Sequence, residues 1–118
     1  MSWTVIFHDA FEAELDALAH PVRIELLAAV TLLRTHGPAL GRPHADTLAG
    51  SKHANMKELR FDAAGGVWRV AFAFDPKRQA IVLVAGDKAG VAQKRFYKTL
   101  IAKADGRYAE HLKRLKEL

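Results

Sequence analysis

The sequence predicts an α+β fold in a single domain spanning residues 1–118. Two helical apolar stripes precede position 40, an alternating strand pattern occupies the middle of the chain, and a third helical stripe closes it. A length of 118 residues fits one domain, and half of the residues are apolar, enough for a packed core. We expect an N-terminal strand, a helical hairpin, a three-stranded antiparallel meander and a C-terminal helix, with the helices on one face of the sheet.

The first forty residues predict a short strand followed by two helices. β-Branched and aromatic residues at 3–7 favour the strand. Asp9, followed three positions later by Glu12, forms a capping-box pattern and predicts that a helix begins there with Asp9 as its N-cap. Pro21 suits the first turn of a second helix, because its missing N–H would be unpaired there in any case. Gly37-Pro38 ends that helix.

The rest of the chain predicts a long connection, three strands and a last helix. Residues 39–55 lose periodicity and contain several glycines and prolines, which indicates a connection. The strand pattern then resumes in three segments, which are residues 56–61, 67–74 and 80–85. The third segment is apolar on both faces, so we expect it inside the sheet rather than at its edge. A helix follows from about Val91, with a kink expected at Asp105-Gly106.

Basic residues are concentrated in the last two-thirds of the chain. Residues 1–40 contain two basic and five acidic residues, whereas residues 41–118 contain sixteen basic and eight acidic residues. A basic region of this kind is typical of a protein that binds a polyanion such as RNA, DNA or an acidic protein. The alternative is that the lysines of the C-terminal helix only keep the protein soluble.

Residue content disfavours several classes of function. The chain contains no cysteine, which excludes disulfides, thiolate metal sites and cysteine nucleophiles. The six histidines form no HxxxH or HExxH pair, so we expect neither a metal nor another cofactor. Ser2 and Ser51 lie outside any nucleophile elbow, and Gly65-Gly66 joins two strands, unlike a phosphate-binding loop. Without a signal-peptide pattern or a long apolar run, we expect a cytoplasmic protein that does not contact a membrane.

Cationic side chains on the predicted sheet are the candidates for chemistry. Lys57 and Arg60 lie on the first strand of the meander, and Arg69 lies on the second, where it shares a face with small residues. That neighbourhood predicts an accessible, concave surface around Arg69. Lys88 follows the third strand. The final helix adds three cations that we expect near the same edge of the sheet, namely Lys94, Arg95 and Lys98.

Clustered arginines and lysines can hold a phosphate and stabilise the charge that develops on it during attack, without a metal. The alternative is a set of ordinary cross-strand ion pairs, such as Arg60 with Asp62 or Glu58 with Arg69. Residue types alone do not decide between these two interpretations.

The order of these motifs resembles the RelE/ParE superfamily of bacterial toxins, and most closely its HigB-like, phage-derived branch. The resemblance depends on Glu58-Leu59-Arg60 in one strand and Trp68-Arg69-Val70 in the next. An apolar strand ending at Lys88 and a lysine-rich helix follow. Each motif is weak alone, but together with chain length and element order they are specific, and the likeness extends over nearly the whole chain.

The resemblance implies a toxin that a cognate antitoxin neutralises, the antitoxin being a small helix-turn-helix protein of the HigA-like kind. It also implies an endoribonuclease that works in the ribosomal A site and cuts mRNA with the RNA's own 2′-hydroxyl as nucleophile. Arg60 and Arg69 match the family's strand arginines, which hold the scissile phosphate. Lys57 and Lys88 become candidates for phosphate contact or proton transfer. The cations of the last helix are the candidates for binding the RNA backbone; they are Lys94, Arg95 and Lys98.

The resemblance leaves the general acid and base open. Several family members place a tyrosine or histidine near the end of the sheet, where this chain has Ala85-Gly86-Asp87-Lys88. Asp87 is one substitute, and Tyr97, reaching from the helix, is the other. Two further functions share the fold: a ParE-like toxin that inhibits DNA gyrase by binding it, and a non-catalytic RNA- or ribosome-binding module.

Overall fold

The fold is a five-stranded sheet with helices packed on both faces. The structure, a computed structural model, describes residues 2–117. In chain order the elements are β1 (Val5–Phe7), α1 (Asp9–Ala17), α2 (His20–His36), a 3-10 turn (Gly37–Ala39), β2 (Ala45–Thr47), β3 (Met56–Ala63), β4 (Gly66–Phe74), β5 (Ala80–Asp87) and α3 (Gln93–Lys116). The predicted α+β class and element order are confirmed. No helix within the described residues is both long and apolar enough to cross a membrane.

The strands lie in the order β1-β5-β4-β3-β2. Strands β3, β4 and β5 form the predicted antiparallel meander, and β1 pairs in parallel with β5. Strand β5 is therefore paired on both sides, as its two apolar faces predict. Strand β2 lies in the segment predicted as a connection and pairs antiparallel with β3. Its three residues are too few for an alternating pattern to reveal a strand.

The prediction that all helices lie on one face of the sheet is wrong. On β4, Val70 and Phe72 join the core under α1 and α2, whereas Ala71 and Ala73 join a second core under α3. Because both faces of the inner strands are apolar, each face must be covered to remove it from water. Helix α3 supplies the second cover with the buried side chains Phe96, Leu100, Ala104 and Tyr108.

One local prediction about the helices, the N-cap of α1, is also wrong. Helix α1 begins at Asp9, but its cap is His8, whose Nδ1 accepts a hydrogen bond from the Ala10 N–H at 3.1 Å. Helix α3 continues through Gly106 without a break. The Asp105 side chain accepts hydrogen bonds from the Ser51 hydroxyl and the Lys52 N–H, so it joins the helix to the preceding loop instead of interrupting it.

Helix α3 is fixed on the sheet at both of its halves. Near its start, Phe96 crosses β5 at Gly86, where a Cβ atom would lie 2.9 Å from Phe96 Cε1. Only a glycine permits that close an approach without moving the ring. Further along, Arg107 forms two hydrogen bonds with Glu14, of 2.7 and 2.6 Å, and a third with the Leu83 carbonyl at 2.8 Å. These contacts set the rotation of α3 over the sheet.

Core packing on β3 gives a direct test of this architecture. Leu59 is 0 % exposed in the core under α1 and α2, whereas Leu27 of α2 is 48 % exposed. We expect Leu59→Ala to lower the free energy of unfolding by about 2–5 kcal/mol, because it removes buried methyl groups and leaves a cavity. Leu27→Ala should change it by no more than about 0.5 kcal/mol. Urea unfolding of both variants checks this, and equal losses would contradict the packing described.

Candidate active site

The two strand arginines lie directly opposite each other. Arg60 of β3 and Arg69 of β4 are register partners, so both side chains leave the sheet on the face that α3 covers. Like charges in directly opposite positions on neighbouring strands repel each other. An anion bound between the two guanidinium groups would offset this repulsion, and the pair is therefore suited to a phosphate.

Arg69 is itself buried, so the accessible, concave surface that the sequence predicts around it is present only where Arg69 borders a cavity with Arg60. Its side chain lies on the face that α3 covers, and the residue is 7 % exposed. Its Nη1 donates to the Trp68 carbonyl at 2.9 Å, while its Nε has no hydrogen-bond partner among the described residues. A buried guanidinium N–H without an acceptor is unfavourable.

Arg60 is partly exposed and makes only long contacts with carboxylates. It lies 3.9 Å from Asp46 Oδ2 and 3.9 Å from Glu58 Oε2. The alternative pairs, Arg60 with Asp62 and Arg69 with Glu58, do not occur within 4 Å in the described part of the chain. Arg60 and Arg69 instead line a common cavity of about 580 Å³. The rest of its wall comes from Glu25, Arg42, Pro43, His44, Phe61 and Asp62.

A buried carboxylate and a phenol lie next to the arginines. The Tyr97 hydroxyl donates to Glu58, with distances of 2.9 Å to Oε1 and 3.2 Å to Oε2. Glu58 is 5 % exposed, and this burial raises its pKa above that of an ordinary glutamate, although Tyr97, Arg69 and Arg60 act in the opposite direction. Burial also raises the pKa of Tyr97, and the Glu58 carboxylate adds to that shift.

Glu58 belongs to the site, although the sequence predicts it only as an ion-pair partner and as part of the Glu58-Leu59-Arg60 motif. The residue sits two positions before Arg60, and side chains two apart on a strand share a face. This two-residue spacing in the sequence is enough to predict that Glu58 lies on the same face as Arg60. The contact with Tyr97 was not predictable in the same way, because the two residues are 39 positions apart and meet only through the placement of α3.

The structure distinguishes between Asp87 and Tyr97, the two substitutes for the family's tyrosine or histidine. Asp87 is the register partner of Trp68, the neighbour of Arg69, so it points to the opposite face. Its Oδ1 accepts hydrogen bonds from the N–H groups of Val67 and Ala89, both at 2.9 Å, and thereby holds the end of the sheet. Tyr97 is the group that reaches the arginine face.

Of the two lysines predicted near the arginines, Lys57 lies on the other face of the sheet. Lys57 is the register partner of Phe72, whose side chain lies in the core under α1 and α2, so Lys57 leaves the sheet on the face opposite Arg60 and Arg69. Lys88 follows β5, and its backbone N–H donates to the Val67 carbonyl at 2.8 Å.

The three helix cations are divided between the two flanks of α3. Lys94 and Lys98 are exposed and line a cavity of about 740 Å³ together with Glu58 and Tyr97. Arg95 lies on the other flank, where it lines a separate cavity of about 250 Å³ against β5 with Lys103. The structure therefore brings two of the three predicted RNA-binding residues to the flank that carries Glu58 and Tyr97.

The assembled site, which we call the arginine–carboxylate site, consists of Arg60, Arg69, Glu58 and Tyr97. It offers two cations for an anion, a carboxylate with a raised pKa, and a phenol in contact with that carboxylate. Such groups can bind a phosphate, stabilise charge on it and move a proton. Within residues 2–117, no group of three or more His, Cys, Asp or Glu side chains is placed to hold a metal ion.

Sequence comparison places the chain among phage-derived proteins and toxins. Residues 13–109 match the model of the phage-derived Gp49-like protein family (DUF891). A Mycobacterium tuberculosis protein that carries the toxin name HigB3 is 48 % identical over 91 residues, which cover 77 % of each chain. A second protein from the same organism, with the toxin name HigB2, is 44 % identical over 113 residues. That match covers 95 % of this chain but only 55 % of the relative's length.

The fold has a counterpart among solved structures. The E. coli toxin RelE, solved in the free state as a double arginine-to-alanine mutant, superposes with a TM-score of 0.61. The match covers 87 % of this chain and 97 % of the other, at 14 % sequence identity. At that identity the likeness concerns the fold alone.

The raised pKa of Glu58 predicts how stability depends on pH. The folded protein holds the Glu58 proton more tightly than the unfolded chain, so ionising this carboxyl destabilises the fold. We expect the free energy of unfolding of the wild type, relative to Glu58→Gln, to fall as the pH rises above the ordinary value of 4.5. Urea unfolding of both proteins at a series of pH values checks this. A relative stability that rises with pH would mean that the arginines lower the pKa instead.

Proposed function

The chain belongs to the phage-derived Gp49-like family, in the HigB-like branch of the RelE/ParE superfamily of toxins, and on that premise we propose that it is the toxin of a type II toxin–antitoxin system that cleaves mRNA on the ribosome. The observation that carries the proposal is the opposed pair Arg60 and Arg69 beside a buried carboxylate and phenol. Two guanidinium groups on one face match the two negative charges of a phosphorane.

In the proposed reaction the RNA supplies its own nucleophile. The 2′-oxygen attacks the adjacent phosphorus, the bond from phosphorus to the 5′-oxygen breaks, and the products are a 2′,3′-cyclic phosphate and a 5′-hydroxyl. Arg69 donates a guanidinium N–H to a phosphate oxygen in the cavity that it shares with Arg60, and Arg60 approaches the same phosphate from the neighbouring strand. Lys88, at the end of β5, is the candidate for protonating the leaving oxygen.

The mRNA strand runs along the flank of α3 that carries Lys94 and Lys98, because these lysines share a cavity with Tyr97 and Glu58. Arg95 and Lys103, on the other flank, are left for a contact with the ribosome or with solvent. Lys57 leaves the opposite face of the sheet and is likewise assigned to the ribosome rather than to the scissile phosphate.

A cognate antitoxin, of the helix-turn-helix, HigA-like kind, completes the proposal. Residues 41–118 carry sixteen basic against eight acidic residues, so an acidic segment of the antitoxin would be attracted to this part of the chain. A partner that binds only the folded toxin also raises the toxin's apparent stability.

Removal of either strand arginine tests the proposed cleavage. We expect Arg60→Ala and Arg69→Ala each to cost roughly 2–4 kcal/mol of transition-state stabilisation, by analogy with other preorganised donors to a developing oxyanion. That loss corresponds to a rate about 30- to 1,000-fold lower. Growth inhibition should disappear while the variants still fold. Primer extension on mRNA from cells expressing each variant measures the loss as missing 5′ ends.

Arg34→Ala is the matched control for this experiment, because Arg34 is an exposed arginine on α2, which covers the other face of the sheet. This variant should cut mRNA at the wild-type rate. If an Arg60→Ala/Arg69→Ala double variant still produces the same mRNA 5′ ends as the wild type, the assigned site is wrong. Growth arrest by the wild type without new mRNA ends would instead indicate a gyrase-inhibiting toxin.

The division of cations between the flanks of α3 predicts a difference in RNA binding. Each phosphate contact contributes about 0.7 to the slope of log affinity against log salt for a single-stranded nucleic acid. We therefore expect Lys94→Gln/Lys98→Gln to reduce that slope by about 1.4 for a single-stranded RNA oligonucleotide. Arg95→Gln/Lys103→Gln removes the same charge from the same helix and should leave the slope unchanged. Equal effects of the two double variants would show that charge, rather than its position, governs binding.

A further inference from the structure

We propose that Glu58 accepts the proton that the attacking 2′-hydroxyl loses, and that the Tyr97 hydroxyl relays it. This inference rests on the proposed RNA-cleaving function and assigns that function's general base. It concerns a residue pair joined only by the packing of α3 on β3, through hydrogen-bond distances of 2.9 and 3.2 Å.

The burial of the two side chains fixes the order of the relay. Glu58 is 5 % exposed, whereas Tyr97 is partly exposed, and both line the cavity that Lys94 and Lys98 border. A substrate in that cavity would touch the phenol before the carboxylate. Tyr97 is thus the group in contact with the RNA, and Glu58 is a positioning residue that acts through it.

A carboxylate in this position needs an explanation beyond packing. Burying an ionisable group is unfavourable unless it is well paired, and Glu58 has one neutral donor, Tyr97, with Arg60 at 3.9 Å and the charge of Arg69 near it but no hydrogen bond to either arginine. A neutral or apolar side chain would fit this face of β3 at lower cost to stability. Unfavourable buried groups of this kind are often found where proton transfer is required.

The environment adjusts both groups in the direction that a relay requires. The raised pKa of Glu58 makes it a stronger base than an exposed glutamate, and its value moves closer to neutral pH. The raised pKa of Tyr97 keeps the phenol protonated, so it has a proton to pass on. The charged and titratable groups that face Glu58 are Arg60 on its own strand, Asp46 on β2, Arg69 on β4, and Tyr97, Lys94 and Lys98 on α3.

The proposed step balances in atoms and charge. As the 2′-oxygen forms its bond to phosphorus, the 2′-hydroxyl proton passes to the Tyr97 oxygen, and the Tyr97 proton passes to the Glu58 carboxylate. The 5′-oxygen leaves with the electron pair of the broken bond and takes a proton from Lys88 or from water. Loss of the Glu58 proton to solvent then restores the site.

The test is single-turnover cleavage of mRNA on ribosomes between about pH 5 and pH 9, with a set of matched variants. On the acidic side of the profile (the acid limb), the wild-type rate should rise with pH as Glu58 loses its proton and becomes able to accept another. Glu58→Gln and Tyr97→Phe should each lower the rate by about 10²- to 10⁴-fold, the range for a positioned acid–base group. Glu58→Asp should retain part of the rate and the acid limb. The double variant should be no slower than either single variant, because the two residues act as one unit.

Controls distinguish this role from a structural one. Glu12→Gln, the same substitution at an exposed position on α1, should leave the rate and the acid limb unchanged. Binding of an RNA with a 2′-deoxynucleotide at the cleavage site should be the same for the wild type, Glu58→Gln and Tyr97→Phe. A Glu58→Gln variant that keeps the acid limb, or a rate within tenfold of the wild type, overturns the inference.

Failure of the proposed function gives a different pattern. If the wild type produces no cuts on ribosomes, the RNA-cleaving function fails and the relay fails with it. If the wild type cuts, Arg69→Ala does not, and Glu58→Gln and Tyr97→Phe cut normally, only the relay is overturned. If Glu58→Gln does not fold, the cleavage rate of Tyr97→Phe tests the relay, since this variant leaves Glu58 in place and removes only the relaying hydroxyl.

Discussion

The packing of α3 across one face of the sheet determines where each charged group of the site lies. The close approach of Phe96 to Gly86 and the three hydrogen bonds of Arg107 fix this helix in one rotation. In that rotation Tyr97 reaches Glu58, while Lys94 and Lys98 border the same cavity and Arg95 does not. The helix also covers Arg69, and the environment of the arginine–carboxylate site is therefore much drier than a strand surface would be.

A low local dielectric strengthens the electrostatic interactions of these charged groups. Interactions between an arginine and a phosphate are stronger where water is excluded, and the donors need no reorganisation when charge develops. The same dryness is unfavourable for the site's own groups, since two arginines oppose each other and a carboxyl loses its hydration. Unfavourable polar groups concentrated in one place are typical of a functional site rather than of a structural one.

Much of this arrangement follows from local rules that the sequence obeys. The short turn at Gly65 sets the register of β3 against β4, and that register places Arg60 opposite Arg69. The same alternation separates Lys57 from the arginines, because it lies two positions before Leu59, a residue of the core on the opposite face of the sheet. Apolar side chains on both faces of β4 and β5 require helices on both sides, a consequence that the expectation of a single helical layer overlooked.

Other features depend on contacts that no local pattern encodes. Strand β2 has only three residues, and it forms by pairing with the edge of the sheet at β3. The Glu58–Tyr97 hydrogen bond spans 39 positions, and helical periodicity does not determine which exposed residue of α3 turns toward β3. The burial of Arg69 likewise depends on α3, since its small neighbours on β4 are equally compatible with an open surface.

We propose that the arginine–carboxylate site cuts RNA through the RNA's own 2′-hydroxyl. The most direct test is mass spectrometry of the RNA fragments formed when the purified protein acts on an mRNA bound to ribosomes. We expect a 2′,3′-cyclic phosphate on one fragment and a 5′-hydroxyl on the other. Fragments with a 5′-phosphate and a free 3′-hydroxyl, or an mRNA that stays intact, would contradict it.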